Sequence, residues 1–299
     1  MMKKQLQGSA CLLLATLIWG TAFIFQSIGM DHIGPFTFQA VRCTLAVLGM
    51  VAVIWILDKK AGRSFRQSWA DKRLWKAGIL CGIPLFLACD LQQLGLVYTT
   101  AGKAGFLTAM YIVMVPILGL FLKRKITVMV PISVIIAVAG LYLLSFAGVS
   151  QVNMGDILML ICAVMFAVQI LAVDRFASDV DPVRLNCIQA GVCAVASILV
   201  TLFTEDVSVP SLLDCWLPLC YTGFISMGAA YSMQIIGQKH VEPTAAALIM
   251  SLESVVAVIA GWILLKETMS AHEVIGCVLM FIAVILSQLP IGKISCQKG

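Results

Sequence analysis

Glu253 stands alone in Thr244–Leu265 (TAAALIMSLESVVAVIAGWILL), an apolar stretch with no other formal charge before Lys266. A helix rising ~1.5 Å per residue crosses a ~30 Å hydrocarbon core in about 20 residues. Counted from Thr244, Glu253 falls near the middle of such a core. A carboxylate at that depth costs at least ~2.5 kcal/mol, which makes it a candidate functional group. Three roles fit it: a proton carrier, a partner for a substrate cation, or a protonated acid hydrogen-bonded to a neighbouring helix. No second proton carrier of similar strength exists, because His32, His240 and His272 fall at helix ends or in loops.

Arg42 and Asp90 are also ionisable groups inside apolar stretches. If the helix carrying Arg42 starts at Pro35, Arg42 lies about 10 Å below the surface, and Asp90 reaches a similar depth from the next span. Each alone is costly in lipid, so matched depth predicts a buried ion pair. The pair either fixes two helices together or opens during a working cycle. Around these charges lie the uncharged polar residues Gln93, Thr108, Gln169, Gln234 and Ser251, with Tyr111 and the aromatic residues Trp19 and Phe23. Such groups hydrogen-bond helix to helix or face a cavity. Together they are the candidate substrate-cavity residues. Gly20 offers close backbone approach, and Pro84 and Pro116 favour kinks that can act as hinges.

The elements that must position these residues are membrane helices. Of 299 residues, 61% are hydrophobic and 12% charged, against about 25% charged in soluble domains. Ten stretches have roughly spanning length: Gly8–Gly29, Pro35–Leu57, Ala77–Tyr98, Ala104–Leu122, Ile126–Phe146, Asn153–Val173, Leu185–Phe203, Cys215–Ile236, Thr244–Leu265 and Val274–Ile291. The opening MMKKQLQG followed by an apolar run is read as a retained first helix, since the run is long enough to span. With the N-terminus in the cytoplasm, 17 Lys and Arg residues lie inside and two, Lys103 and Lys266, outside. This asymmetry predicts a multi-pass protein of the cytoplasmic membrane with both termini cytoplasmic. Ten of the 11 cysteines sit in or at the ends of apolar stretches, in no metal-ligand spacing. They read as small apolar residues.

The two halves resemble each other. LLATLIWGTAF (13–23) aligns with LICAVMFAVQI (160–170) at an offset of 147, which also pairs Gly8 with Gly155 and Pro35 with Pro182. The third and eighth spans align at 141, pairing Trp75 with Trp216, Gly82 with Gly223 and Gln93 with Gln234. The fourth and ninth align at 142 to 143, which sets Tyr111 opposite Glu253. An odd number of helices per half makes the repeats inverted, with a substrate site expected near the midplane between them. The expected fold is an all-α membrane protein of ten transmembrane helices as two inverted five-helix repeats, residues 1–148 and 149–299.

The chain resembles the EamA-type branch of the drug/metabolite transporter superfamily. The resemblance rests on LLATLIWGTAFIF, on PFTFQAVR (35–42), on QQLGLVYTTAGKAGFLTAMYIVMVPILGLFL (92–122) and on EPTAAALIMSLESVVAVIAGWILLKETMS (242–270). It implies a central cavity and transport of small metabolites, often outward. Two positions depart from the family pattern: Ser254 stands where many relatives have proline, and Lys266 where many have glycine. The expected function is a secondary transporter, an exporter of amino acids or related amphipathic compounds, with proton coupling through Glu253 as one option. No Walker A segment is present to use ATP. A passive facilitator is the alternative. An intramembrane enzyme is disfavoured, because no nucleophile, base and oxyanion donor gather at one depth. Neither cofactor nor metal is expected. The partners implied are a small-molecule substrate and the lipid bilayer, with no nucleic acid; a homodimer is left open.

Overall fold

A computed structural model describes residues 2–99, 101–123, 128–145, 153–264 and 270–287. Arg124, Lys125, Lys266, Lys293 and Lys298, which entered the charge count, lie outside these residues, as do the span limits Ile126, Phe146, Leu265 and Ile291. The described residues are helical throughout, with no strand. The helices are α1 (Met2–Met30), α2 (Pro35–Lys60), the short α3 (Phe65–Ser68), α4 (Lys72–Leu96), α5 (Ala101–Ala109), α6 (Tyr111–Phe121) and α7 (Met129–Ser145). The second half comprises α8 (Met154–Phe176), α9 (Pro182–Thr204), α10 (Val209–Asp214), α11 (Trp216–Cys220), a π-helical segment (Tyr221–Ala230), α12 (Tyr231–Gln238), α13 (Pro243–Met250), α14 (Glu253–Leu264) and α15 (Ala271–Ser287). Seven helical stretches are long and apolar enough to cross a membrane, and α7 and α15 are shorter apolar helices. Span eight, built from α11, the π segment and α12, completes the ten. Exposed Leu17, Trp55, Ile83, Ile135, Leu199 and Phe281 sit on the outside of the bundle, where lipid tails are their solvent.

Local chemistry sets the helix ends. Pro35 and Pro182 open α2 and α9 at the first position, where a missing N–H costs nothing. Asn153 and Asp156 form a reciprocal capping box at the start of α8. Prolines do not set the breaks expected of them. Pro84 sits inside the continuous α4 and Pro116 inside α6. The interruptions fall at Met110 and at Ser251–Leu252, where tight bonds such as Leu252 N–H to the Ile249 carbonyl (3.2 Å) replace the α pattern. The second break has no proline at all.

Lipid offers little hydrophobic drive between helices, so close backbone packing does more of the work. Three crossings show it, each glycine facing a carbonyl of its partner: Gly8 with Gly237, Gly95 with Gly155, and Gly140 with Gly276. A Cβ on Gly140 would lie 2.9 Å from the Gly276 carbonyl oxygen, and one on Gly276 2.7 Å from that of Gly140. Gly140→Ala therefore forces α7 and α15 apart and is expected to cost about 1–3 kcal/mol. Gly191→Ala is the matched control. Its Cβ would meet nothing closer than Val47 at 4.0 Å, so it should be neutral or stabilise by up to about 1 kcal/mol. Thermal unfolding in detergent compares the two; equal melting temperatures would refute the packing account.

Candidate functional site

The two broken helices carry the centre of the site. Tyr111 is the first residue of α6 and Glu253 the first of α14. The Tyr111 hydroxyl donates to Glu253 Oε1 at 3.3 Å. Two positions set opposite each other at an offset of 142 thus touch in space. Beside them α1 comes in closely: a Cβ on Gly20 would lie 2.7 Å from the Glu253 carbonyl oxygen. Ser254, at the position where the resemblance has proline, donates its hydroxyl to the Gly105 carbonyl (3.2 Å) and ties α14 to α5. The helix breaks here without a proline.

A cavity of about 40 Å³ opens around this pair. At ~10–15 Å³ per water it has room for about three waters. Trp19, Phe23, Thr108, Tyr111, Gln234 and Glu253, all expected at a cavity, line it. Trp19 packs against Tyr231, with ring centroids 4.9 Å apart, and Tyr111 meets the Phe166 ring edge-on at 6.4 Å. Three buried polar atoms of the lining residues have no partner, Trp19 Nε1 and Arg42 Nε as donors and Gln234 Oε1 as an acceptor. A larger hollow of about 520 Å³ lies at the opposite end of the bundle from Lys59, Lys60 and Arg184, bordered by Asp31, Thr37 and Asp206.

Three other expected cavity residues lie elsewhere. Ser251 is fully buried at the helix break, where its hydroxyl donates to the Leu248 carbonyl at 2.8 Å. Gln169 sits behind the wall, accepting from Gln234 Nε2 at 3.0 Å and donating toward Gln189 Oε1 at 3.5 Å. Gln93 is buried with neither amide atom partnered and does not border the cavity. Its neighbour Gln92 does, donating to the Thr108 hydroxyl at 3.3 Å. The π segment explains the slip. A π hydrogen bond reaches one residue further than an α bond, so span eight absorbs an extra residue that α4 lacks. Before the segment the offset is 141. Beyond it the offset is 142, which pairs Gln92 with Gln234 and Gly95 with Gly237. Asn186 supports the segment by donating to the Met227 and Gly228 carbonyls at 3.0 and 2.8 Å.

The expected ion pair also needs correction. Arg42 and Asp90 are both buried, but they make no direct contact. Arg42 Nη1 donates to Gln26 Oε1 at 2.8 Å, its Nε has no partner, and the residue borders the cavity. Asp90 accepts from the Ser197 hydroxyl at 2.9 Å, leaving Oδ2 without a partner. The two are near enough to feel each other's charge. The azimuths differ: α2 turns Arg42 toward α1 and the cavity, while α4 turns Asp90 toward α9. The cavity thus holds a guanidinium and a carboxyl group, and among the described residues neither has an oppositely charged partner in direct contact. Gln26, Gln92, Ser226 and Met250 also border it. Gln26 has a sequence signal, as an amide close to the end of the first apolar stretch.

The chain matches the EamA-like transporter family over residues 6–146 and again over 153–289. It is 32% identical over 295 residues to an uncharacterized transporter of Archaeoglobus fulgidus, covering 96% of this chain and 87% of that one. YoaV of Bacillus subtilis, also an uncharacterized transporter, is 19% identical over 287 residues, covering 93% and 95% of the two chains. A solved crystal structure, 20% identical, superposes with a TM-score of 0.75 over 94% of this chain and 96% of its own, a likeness of fold. By a family match in both halves and a relative of this similarity along nearly its whole length, the chain belongs to the EamA-like transporter family.

Proposed function

We propose that the protein is a secondary active transporter exporting small zwitterionic metabolites with an apolar body, amino acids foremost, across the cytoplasmic membrane. The observation carrying this reading is a single cavity that receives both Arg42 and Glu253 between aromatic walls. A carboxylate suits the guanidinium, an ammonium suits Glu253, and an apolar side chain suits Trp19, Phe23 and Tyr231. When no substrate is present, Glu253 takes the proton that the gradient supplies. The inverted arrangement of the two halves supplies the means of exposing one site to each face in turn. Export is the direction that the resemblance implies.

Counterflow in proteoliposomes tests the substrate class. Labelled aromatic amino acid should exchange saturably. Analogues lacking either the ammonium or the carboxylate should compete about 10–100-fold less well, since a hydrogen bond to a charged group contributes ~1.5–3 kcal/mol. Equal competition by both analogues would remove the zwitterion reading. A passive facilitator, the alternative, exchanges substrate but never accumulates it against a gradient. Orientation is checked separately. A cysteine at Ser150 should label from the outside and one at Gly62 from the inside, and the reverse pattern would overturn it.

A further inference from the structure

The α2 and α9 helices run antiparallel, side by side, and a carboxylate ties them together at each end. At one end Asp58, in the last turn of α2, pairs with Arg184, in the first turn of α9. Arg184 also holds Asp181 at 3.2 Å. At the other end Glu205, where α9 stops, accepts from Phe36 N–H (3.0 Å), Thr37 N–H (2.8 Å) and the Thr37 hydroxyl (2.6 Å) in the first turn of α2. A Cβ on Gly34 would lie 2.4 Å from that carboxylate, so the seat accepts only glycine without a shift. Between the ties the two helices stay in contact, with Asn186 donating to Met50 Sδ at 3.2 Å.

The offset that pairs Pro35 with Pro182 connects these ties. Adding 147 to 37 gives 184, and adding 147 to 58 gives 205. Asp58 on Arg184 and Glu205 on Thr37 are therefore one contact made twice, once by each half. In one case the acceptor meets a guanidinium, in the other a helix N-terminus and a hydroxyl.

We propose that the α2–α9 pair is the fixed axle of the transporter, with both ties closed in every access state while the remaining helices move about it. This rests on the transport reading above. In an inverted-repeat transporter the two access states interchange when the halves exchange conformations around a fixed site. Under that exchange the Asp58–Arg184 tie becomes the Glu205–Thr37 tie, and the reverse. A state that has both ties closed maps onto another that has both closed. The moving parts are then the elements with interruptions: α5–α6, α13–α14 and span eight.

Cross-linking decides between an axle and a pair of alternating gates. Thr37→Cys with Glu205→Cys joins one end, and Asp58→Cys with Arg184→Cys the other. A short bifunctional thiol reagent replaces each tie by a covalent one, and mass spectrometry verifies it. Two readouts follow: counterflow of labelled aromatic amino acid, and modification of Glu253 by a membrane-impermeant carbodiimide added at one face or the other. An axle predicts counterflow close to that of the unlinked double variants, with Glu253 reached from both faces. Loss of counterflow on linking either end, with Glu253 reached from one face only, would overturn the axle while leaving transport standing. If Glu253 in the unlinked protein is reached from one face only, the transport reading fails and the axle with it.

Discussion

Glu253→Gln abolishes accumulation driven by a proton gradient, while substrate exchange persists with an affinity for ammonium-bearing substrates weakened by about 10–100-fold. The carboxyl group is buried, lines the cavity, and has a neutral phenol, Tyr111, as its bonded partner. Glutamine keeps the shape and accepts the same hydrogen bond from Tyr111, so the fold should survive. What it lacks is an ionisable proton. One coupled proton supports roughly tenfold accumulation per unit of pH gradient, because each unit is worth about 1.36 kcal/mol. The variant should show a ratio of one at any gradient, with counterflow that no longer changes with pH. Uptake into proteoliposomes under an imposed pH gradient measures both. Wild-type accumulation and pH dependence in the Gln variant would reduce Glu253 to a structural hydrogen-bonding residue.

Arg42→Ala is expected to weaken substrates bearing a carboxylate by roughly 10–100-fold, the value of a charge-assisted hydrogen bond. Compounds without the carboxylate should be little affected. The substitution also removes a cation whose charge acts on Asp90, a buried group with one unpartnered oxygen, and so lowers stability. Removing one buried charge strands another, whereas removing both need not. Arg42→Ala combined with Asp90→Asn should therefore recover folding, read by monodispersity in detergent, without recovering carboxylate affinity. Recovery of both together would mean that Arg42 acts through the fold and not on the substrate.

What the sequence made legible was the set of membrane helices. Composition and the spacing of apolar stretches located them. The 142 offset placed Tyr111 against Glu253, and their side chains meet. Azimuth was harder to read, because each residue turns a helix by about 100°. Arg42 and Asp90 face different neighbours, Gln26 and Ser197, so a pair expected from depth alone does not form. Gln93 failed for another reason. Its partner in the alignment was chosen with a constant offset, and only the winding of span eight shows where the offset changes. The breaks at Met110 and Ser251–Leu252 had no proline to announce them.

The π segment has a consequence in the history of the chain. The same family profile fits both halves, yet one half has a residue more in its third helix. Had that codon entered a loop, no helix would have recorded it. Entering a span, it had either to rotate everything downstream or to be taken up by wider winding. Tyr221–Ala230 took it up, and Asn186 answers two of the carbonyls in that stretch. With that difference in winding the third helices of the two halves are not interchangeable parts. A protein built from two copies of the first half would lack both the slack and the asparagine, since the residue matching Asn186 at an offset of 147 is Gln39.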